Sequence, residues 1–309
     1  MNFNGLHYNS IASRLKEEFG CRVVKLSLDG GFTCPNRDGR CGYGGCSFCS
    51  EDGSGSFAGT IDEQIAKLSP KWTNDGGNPK YIAYFQNHTN TYAPVEYLRK
   101  IWTEALDHVG VVGIAVATRP DCLGEDILDL LEEFNKKTYL WVELGLQTAN
   151  EKTAAAFNRG YENDVFERAM MNLSKRSIKT VIHLILGLPG EDKAQMLASA
   201  VYAAGFNPFG IKIHMLHLLK STKMGREFEL NPWPLLSCDE YIGIVCDILE
   251  RIPGNITIHR LTGDAPGEEL IAPEWTRNKH YVLNGIQQEF SRRGSLQGIK
   301  CPSNEDFQR

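Results

Sequence analysis

The chain has 309 residues and a mass of 34.5 kDa, enough for one barrel-sized domain or two ordinary ones. Hydrophobic residues at 42% and charged residues at 23% are those of a globular protein; the net charge of −5 excludes a global pull toward nucleic acid or anionic membrane and leaves room for a local basic groove. No apolar run reaches the roughly 18 residues of a membrane span, and the opening "MNFNGLHYNS" has neither the basic nor the apolar part of a leader. The expected setting is the cytoplasm, with no membrane association, where thiols stay reduced. Nine cysteines there point to metal or chemistry rather than disulfides.

In chain order, Ile11, Leu15 and Phe19 share one face of a helix predicted over 9–20, with Gly20 where a helix stops. "CRVVKLSL" (21–28) reads as a strand that runs directly into a cysteine-rich loop. Further strand-like runs are "YIAYFQ" (81–86), "VVGIAVAT" (111–118), "YLWVELGLQT" (139–148), "TVIHLILGL" (180–188) and "GIKIHMLHLL" (210–219). Amphipathic helical stretches lie between them at 94–108, 124–135, 163–176 and 192–204. Strands alternating with helices predict βα units and a parallel sheet. Right-handed crossovers then leave a barrel, open or closed, or a doubly wound sheet; the expectation is α/β, an incomplete (βα)6 TIM-like barrel. After residue 220 the alternation weakens to a proline-marked loop "LNPWPL" (230–235), a helix over 239–251, a strand-like "NITIHRL" (255–261), a helix near 278–293 and a polar tail. The expected division is an N-terminal helix over 1–20, the barrel over 21–225, and a C-terminal extension over 226–309 that packs on the barrel as a candidate substrate-binding region.

The loop after the first strand, "CPNRDGRCGYGGCSFCSEDGSG" (34–55), falls on the C-terminal face, where parallel barrels gather their chemistry. Cys34 is followed after eleven residues by Cys46, and after two more by Cys49; Cys41 interrupts the first interval. Glycines 39, 42, 44 and 45 let the backbone wrap a compact object and aim amides at it. A structural zinc site needs a second ligand pair, and no other cysteine lies in such a knuckle. A redox Cys-x-x-Cys pair leaves Cys34 and the glycine-rich wrap unexplained. Three thiolates can hold a cubane iron–sulfur cluster by three irons and leave the fourth open.

A cysteine, an interval, and then Cys-x-aromatic-Cys after the first strand of a βα barrel resembles the radical S-adenosylmethionine (SAM) superfamily, whose cofactors are a 4Fe–4S cluster and SAM. The resemblance implies that Cys34, Cys46 and Cys49 hold the cluster, with Cys41 a rival for Cys34, and that Phe48 lies near the adenine. Cys122, in "TRPDCL", reads as a buried structural thiol. The first interval is longer than the usual three residues and resembles that in the catalytic subunit of Elongator and its smaller bacterial relatives. "LDGGFTCPNRDG", "TNTYAP", "TRPDCL", "WVELGLQTA", "GLPGED" and "HRLTGDAP" together resemble one bacterial Elongator-like family over nearly the whole chain.

For SAM the resemblance points to the strand ends. Gln86 and Asn87, in "QNHTNTY", stand where relatives carry a glycine-rich turn that meets the amino group. Glu143 and Gln147 share a parity and face the barrel interior, where a bound nucleoside would satisfy their buried polar groups. Gln147 and Arg159 are similar to a pair in oxygen-independent coproporphyrinogen oxidase, in which the Gln faces the ribose region and the Arg the carboxylate. His183 stands where relatives carry an acid facing the ribose, and Gly187 and Leu188 would lie beside the adenine. Lys212 and His214 share a parity and face the cavity near a substrate.

The chemistry implied is reductive cleavage of SAM to a 5′-deoxyadenosyl radical that removes a substrate hydrogen, the electron coming from a reductant such as flavodoxin or ferredoxin. Elongator-like enzymes act on the wobble uridine of tRNA. Too few residues follow the sixth strand for an acetyltransferase domain, so acetyl-dependent chemistry is not expected. The resemblance to the smaller bacterial family implies instead a trimming of the uridine 5-side chain, from carboxymethylaminomethyl toward aminomethyl. Arg260, Arg277 and Lys279, with Arg292, Arg293 and Lys300, are candidate phosphate contacts for tRNA. The alternatives are a radical SAM enzyme acting on a small metabolite or peptide, and a non-catalytic zinc- or iron-binding adaptor.

Overall fold

The computed structural model describes residue 3 and residues 5–50, 60–68, 79–264 and 267–301. The last two residues of "HRLTGDAP" and the polar tail lie outside the described residues. Helix α1 (Ile11–Phe19) leads to β1 (Val23–Leu28), α2 (Ile61–Leu68), β2 (Lys80–Phe85), α3 (Val95–Asp107) and β3 (Val111–Thr118). Then come α4 (Glu125–Lys137), β4 (Tyr139–Gln147), α5 (Glu151–Ala156), α6 (Asn163–Lys175), β5 (Lys179–Leu186), α7 (Lys193–Gly205) and β6 (Gly210–Met215). The remainder is β7 (Leu218–Leu219), α8 (Lys223–Leu230), α9 (Cys238–Leu249), β8 (Thr257–Arg260), β9 (Leu270–Ala272) and α10 (Lys279–Arg293). None of these helices is long and apolar enough to cross a membrane.

Seven strands form one parallel sheet in the order β1-β2-β3-β4-β5-β6-β8. The partial α/β barrel is as the sequence predicts, with one strand more. The run at 255–261, expected in the C-terminal extension, instead pairs with β6 through Gly210–Thr257 and Ile211–Ile258. The sixth predicted strand, 210–219, ends at Met215 and resumes as β7, which pairs antiparallel with β9. Helix α2 has no counterpart in the sequence reading, because the loop before it masks the end of the first βα unit.

The sheet is curled. In a flat sheet β1 and β4 lie about 14 Å apart, three strand spacings, yet Lys25 of β1 brings its ammonium to 4.0 Å from the carboxylate of Glu143 on β4. Curling separates two apolar regions. Outward residues such as Leu26, Val116, Leu144 and Leu184 pack under the helices in the main core. Inward residues at the N-terminal ends of the strands, including Ile82, Ala115, Trp141 and Val181, meet Ile11 and Leu15 of α1, which plugs that end. The Ser10 side chain caps α1 by accepting from the Ser13 amide, and the left-handed Gly20 ends it, returning the chain into β1.

Toward the C-terminal strand ends the interior opens. On β1 the outward Val24, Leu26 and Leu28 are buried while the inward Val23, Lys25 and Ser27 are only half-buried. The same contrast recurs at Gly145 and Gln147 on β4, His183 and Ile185 on β5, and His214 on β6. Inward side chains that see solvent better than outward ones mark an open lumen above an apolar plug. Leu15→Ala should cost about 2–5 kcal/mol, read as a lower urea midpoint with far-ultraviolet circular dichroism kept in the native baseline; an unchanged midpoint would show that α1 does not hold the plug.

Candidate active site

The cysteine loop is fixed from three sides. Asp29, just past β1, accepts through one carboxylate oxygen from the Asn87 amide (2.9 Å), and its backbone is clamped by the Gln64 side chain of α2 at 2.8 and 2.9 Å. The Asn36 side chain donates to the Asn158 carbonyl (2.7 Å) and to the sulfur of Cys46 (3.8 Å). Asn158 in turn donates to the Gly45 carbonyl (2.9 Å), and the Ser47 amide to the Phe157 carbonyl (2.9 Å). Gly39, Gly44 and Gly45 have positive φ, so the wrap needs glycine there.

Cys34 and Cys46 are half-buried on this loop, and Cys41 and Cys49 are exposed. A hydrogen bond between the Cys46 and Cys49 sulfurs holds Cys46 below the ordinary thiol range and pushes Cys49 well above it. Arg119, at the end of β3, adds positive charge within electrostatic reach of Cys34 and Cys46. Its guanidinium forks onto Asp121 (2.9 and 2.7 Å), donates to the Arg159 carbonyl (2.9 Å) and lies over the Tyr161 ring. Burial pushes the Cys122 thiol up as well. An all-thiol donor set on a glycine wrap beside a fixed cation suits an iron–sulfur cluster. Among the described residues no three Cys, His, Asp or Glu side chains close on a single ion, and a cubane spreads its three thiolates over three irons. Phe48 and Leu188 come together here: both join an apolar cluster with Ala154, Phe157 and Leu216, and the Phe48 ring meets Phe157 edge-on at 5.2 Å.

Below the mouth the lumen carries a charged network. Glu143, 1% exposed, accepts from Tyr84 (2.7 Å), Trp141 (3.0 Å), His183 (2.6 Å) and Lys212 (3.0 Å). Burial pulls its carboxyl up, but Lys212, Lys25 and the His183 hydrogen bond together outweigh that and hold it well below its ordinary range. Burial and the Lys212 charge lower His183 to about 4, and burial lowers Lys212 to about 8. Burial likewise drives His214 well below the usual imidazole value. Glu143 therefore needs no nucleoside to satisfy it, contrary to the sequence expectation, and His183 spends its Nε2 on Glu143 rather than on a ribose.

Other expectations change as well. Arg159 is fully buried, and its donors go to the carbonyls of Tyr161, Leu146 and Thr148 and to Glu151 and Asn163. A guanidinium so committed braces the turn after β4 and has no donor left for a SAM carboxylate. Asn87 is 1% exposed and holds Asp29. Gln86 and Gln147 remain half-buried at the mouth, Gln147 with φ +63° beside the Tyr161 hydroxyl (3.5 Å). Gly187 takes φ +86°, which favours glycine at the end of β5. Lys212 and His214 do face the lumen, with the His183 and His214 rings 5.7 Å apart.

The C-terminal cations are paired. Arg260 and Lys279 share Asp264, Arg277 meets Glu274, Arg292 meets Glu289, Arg293 meets Asp247, and Lys300 meets Glu250. They form a mixed surface rather than a basic patch. Two residues that the sequence reading passed over, Lys25 and Arg119, belong to the site. Their signals were a lysine at inward parity in "CRVVKLSL" and an arginine at the end of the third strand.

A Radical SAM superfamily model matches residues 36–202, starting two residues after Cys34, and a Radical_SAM C-terminal domain model matches residues 208–292. The chain is 47% identical to YtqA of Bacillus subtilis (strain 168) over 299 residues, 94% of this chain and 92% of that one. It is 26% identical over 197 residues to the tRNA uridine(34) acetyltransferase of Dehalococcoides mccartyi (strain CBDB1), 62% of this chain and 41% of that one. Among solved structures, the archaeal Methanocaldococcus infernus Elp3 matches with a TM-score of 0.70 at 16% identity. That match covers 89% of this chain and 64% of that one, and the likeness is one of fold.

The pH dependence of folding tests the lumen network. The folded His183 binds its proton only near pH 4, while the unfolded one does so near 6.5, so the unfolded state holds more protons between these values. Stability should fall as pH drops from about 6.5 to 4, with His183 contributing up to about 1.4 kcal/mol per pH unit. Urea midpoints across that range should slope less in His183→Gln than in wild type; equal slopes would contradict the placement of His183.

Proposed function

The chain belongs to the radical SAM superfamily, and on that premise we propose that it edits the 5-side chain of the wobble uridine in tRNA, converting carboxymethylaminomethyl to aminomethyl. The carbon between nitrogen and carboxylate loses a hydrogen atom and then one electron, which returns to the reductant couple. Hydrolysis of the resulting imine frees the aminomethyl group and releases glyoxylate. The superfamily's cofactors are a 4Fe–4S cluster and SAM, which together supply a carbon-centred radical able to remove a hydrogen atom from an unactivated carbon. The observation that carries the tRNA reading is the match, over 62% of this chain, to an enzyme whose name places it on uridine 34 of tRNA.

In this reading Cys34, Cys46 and Cys49 hold the cluster, Arg119 neutralises part of its thiolate charge, and Asn36 donates to the Cys46 sulfur. Phe48 and Leu188 give the adenine an apolar wall, and Gln86 and Gln147 are the half-buried amides left at the mouth for the rest of SAM. The open lumen receives the uridine side chain and shields it from water. The exposed ion pairs around Asp264 and Glu274 are each worth about 0–1 kcal/mol, so phosphates can displace their carboxylates from Arg260, Arg277 and Lys279. A cytoplasmic flavodoxin or ferredoxin supplies the electron.

Anaerobic reconstitution of Cys34→Ala, Cys46→Ala and Cys49→Ala should give colourless protein without cluster iron, while Cys41→Ala stays brown. A brown Cys34→Ala together with a colourless Cys41→Ala would reassign the third ligand. Purified enzyme given SAM, a reductant and tRNA from cells deleted for this protein should convert a wobble nucleoside to one lighter by a carboxymethyl group. Unchanged nucleosides, with SAM cleavage stimulated instead by a small metabolite, would replace the tRNA reading.

A further inference from the structure

The lumen network is charge-unbalanced. Lys25 and Lys212 face a single carboxylate, Glu143. One oxygen of Glu143 takes Tyr84, His183 and Lys212, and the other takes Trp141, so four donors already reach the carboxylate without Lys25. The Lys25 ammonium stands 4.0 Å from Glu143, beyond hydrogen-bond distance, and 5.2 Å from the centre of the Tyr84 ring. Its side chain is 24% exposed and sits on the inward face of β1. Arg260, at the rim, is already paired with Asp264 at 2.5 Å. The imidazoles of His183 and His214 are neutral near pH 7, while Lys212 is still protonated there. The lumen thus holds more positive than negative charge, since Arg260 also shares its Asp264 with Lys279. Burial lowers the pKa of the Lys25 ammonium, and no hydrogen bond holds it.

A partly desolvated ammonium without a hydrogen-bonded partner is costly unless an anion completes it. A single ammonium with uncommitted donors, set beside an already occupied carboxylate, matches one carboxylate oxygen pair. SAM carries a sulfonium and an ammonium against one carboxylate, so its net positive charge is repelled by the same lumen. From these placements we infer that Lys25, supported by Lys212, forms a subsite for a carboxylate carried by the substrate. The identity of that carboxylate rests on the proposed function: the terminal group of a carboxymethylaminomethyl side chain. The subsite then explains how the enzyme distinguishes its substrate from its product, which has lost the carboxylate.

Lys25→Met removes the charge and no hydrogen bond, so Glu143 and its four donors stay satisfied; Lys25→Arg keeps the charge. With the anaerobically reconstituted full chain, titration with N-acetylglycine should shift the His183 and His214 imidazole resonances saturably, and the neutral N-acetylglycinamide should not. Lys25→Met should weaken the carboxylate probe at least about tenfold, the scale of a charge-assisted hydrogen bond, and Lys25→Arg should retain it. SAM affinity should be the same in wild type and Lys25→Met. Equal binding of the two probes, or a parallel loss of SAM affinity in Lys25→Met, overturns the subsite, the second by giving the carboxylate to the cofactor. A further arm uses anticodon stem-loop RNA whose wobble uridine carries either the carboxymethylaminomethyl or the aminomethyl group. A preference for the first that Lys25→Met abolishes supports both readings. Failure to bind either RNA, with the N-acetylglycine response intact, removes the tRNA reading and leaves the subsite standing.

Discussion

The buried carboxylate of Glu143 ties the barrel together. Its donors come from β2, β4, β5 and β6, and Lys25 of β1 stands beside it, so one group on the central strand fixes the lumen radius. A buried ion pair is weak evidence for net stability, since desolvation offsets much of the attraction. Removing one partner is another matter: a charge left alone costs about 3–5 kcal/mol. The network therefore acts as a geometric constraint. A curl that moved β4 away from β6 would strand Lys212 and Glu143 together.

That constraint separates two regions with different tasks. Beneath Glu143, Trp141 and the α1 side chains fill the N-terminal end, as apolar packing can do cheaply. Above it the inward positions hold Ser27, Gly145 and His214, which leave the lumen open toward the cysteine loop. The loop takes its position from the same strand ends, through Asp29 after β1, Asn87 after β2, Arg119 after β3 and the Arg159 turn after β4. Rigid supports thus carry an irregular segment that also braces itself through turns such as Cys41 to Pro35 and Gly45 to Asn36. The Glu143 floor lies on the inward face of the sheet and the thiol rim at the C-terminal strand ends above it, so a reactive species formed at the rim would find a substrate held over the floor.

Much of this was legible in the residues. Period-two runs gave the strands, and glycine beside Cys46 and Cys49 marked the wrap. Parity correctly set Glu143, Lys212 and His214 toward the interior. The misses share a physical origin. Parity gives direction, not partners, so Arg159 and Glu143 read as ligand-binding groups when protein acceptors and donors already surround them. The strand at 257–260 was visible as a run, but its place beside β6 depends on α9 carrying the chain back across the sheet, which local pattern does not encode. Lys25 was passed over because a lysine in a short strand usually faces solvent; its parity sets it inward, and the curl brings it to Glu143. The C-terminal cations were counted without their carboxylates, which lie elsewhere in sequence but adjacent in space.

The central claim is that the radical chemistry of this fold is directed at the side chain of a tRNA uridine lying in the lumen. Isotope transfer tests it most directly. An anticodon stem-loop whose wobble uridine carries a carboxymethylaminomethyl group deuterated at its side-chain methylenes is incubated with reconstituted enzyme, SAM and reductant, and the 5′-deoxyadenosine is weighed by mass spectrometry. The account predicts one deuterium per 5′-deoxyadenosine formed in step with loss of the carboxymethyl group. Product nucleoside accompanied only by unlabelled 5′-deoxyadenosine, or labelled RNA left intact while SAM is cleaved, would contradict it.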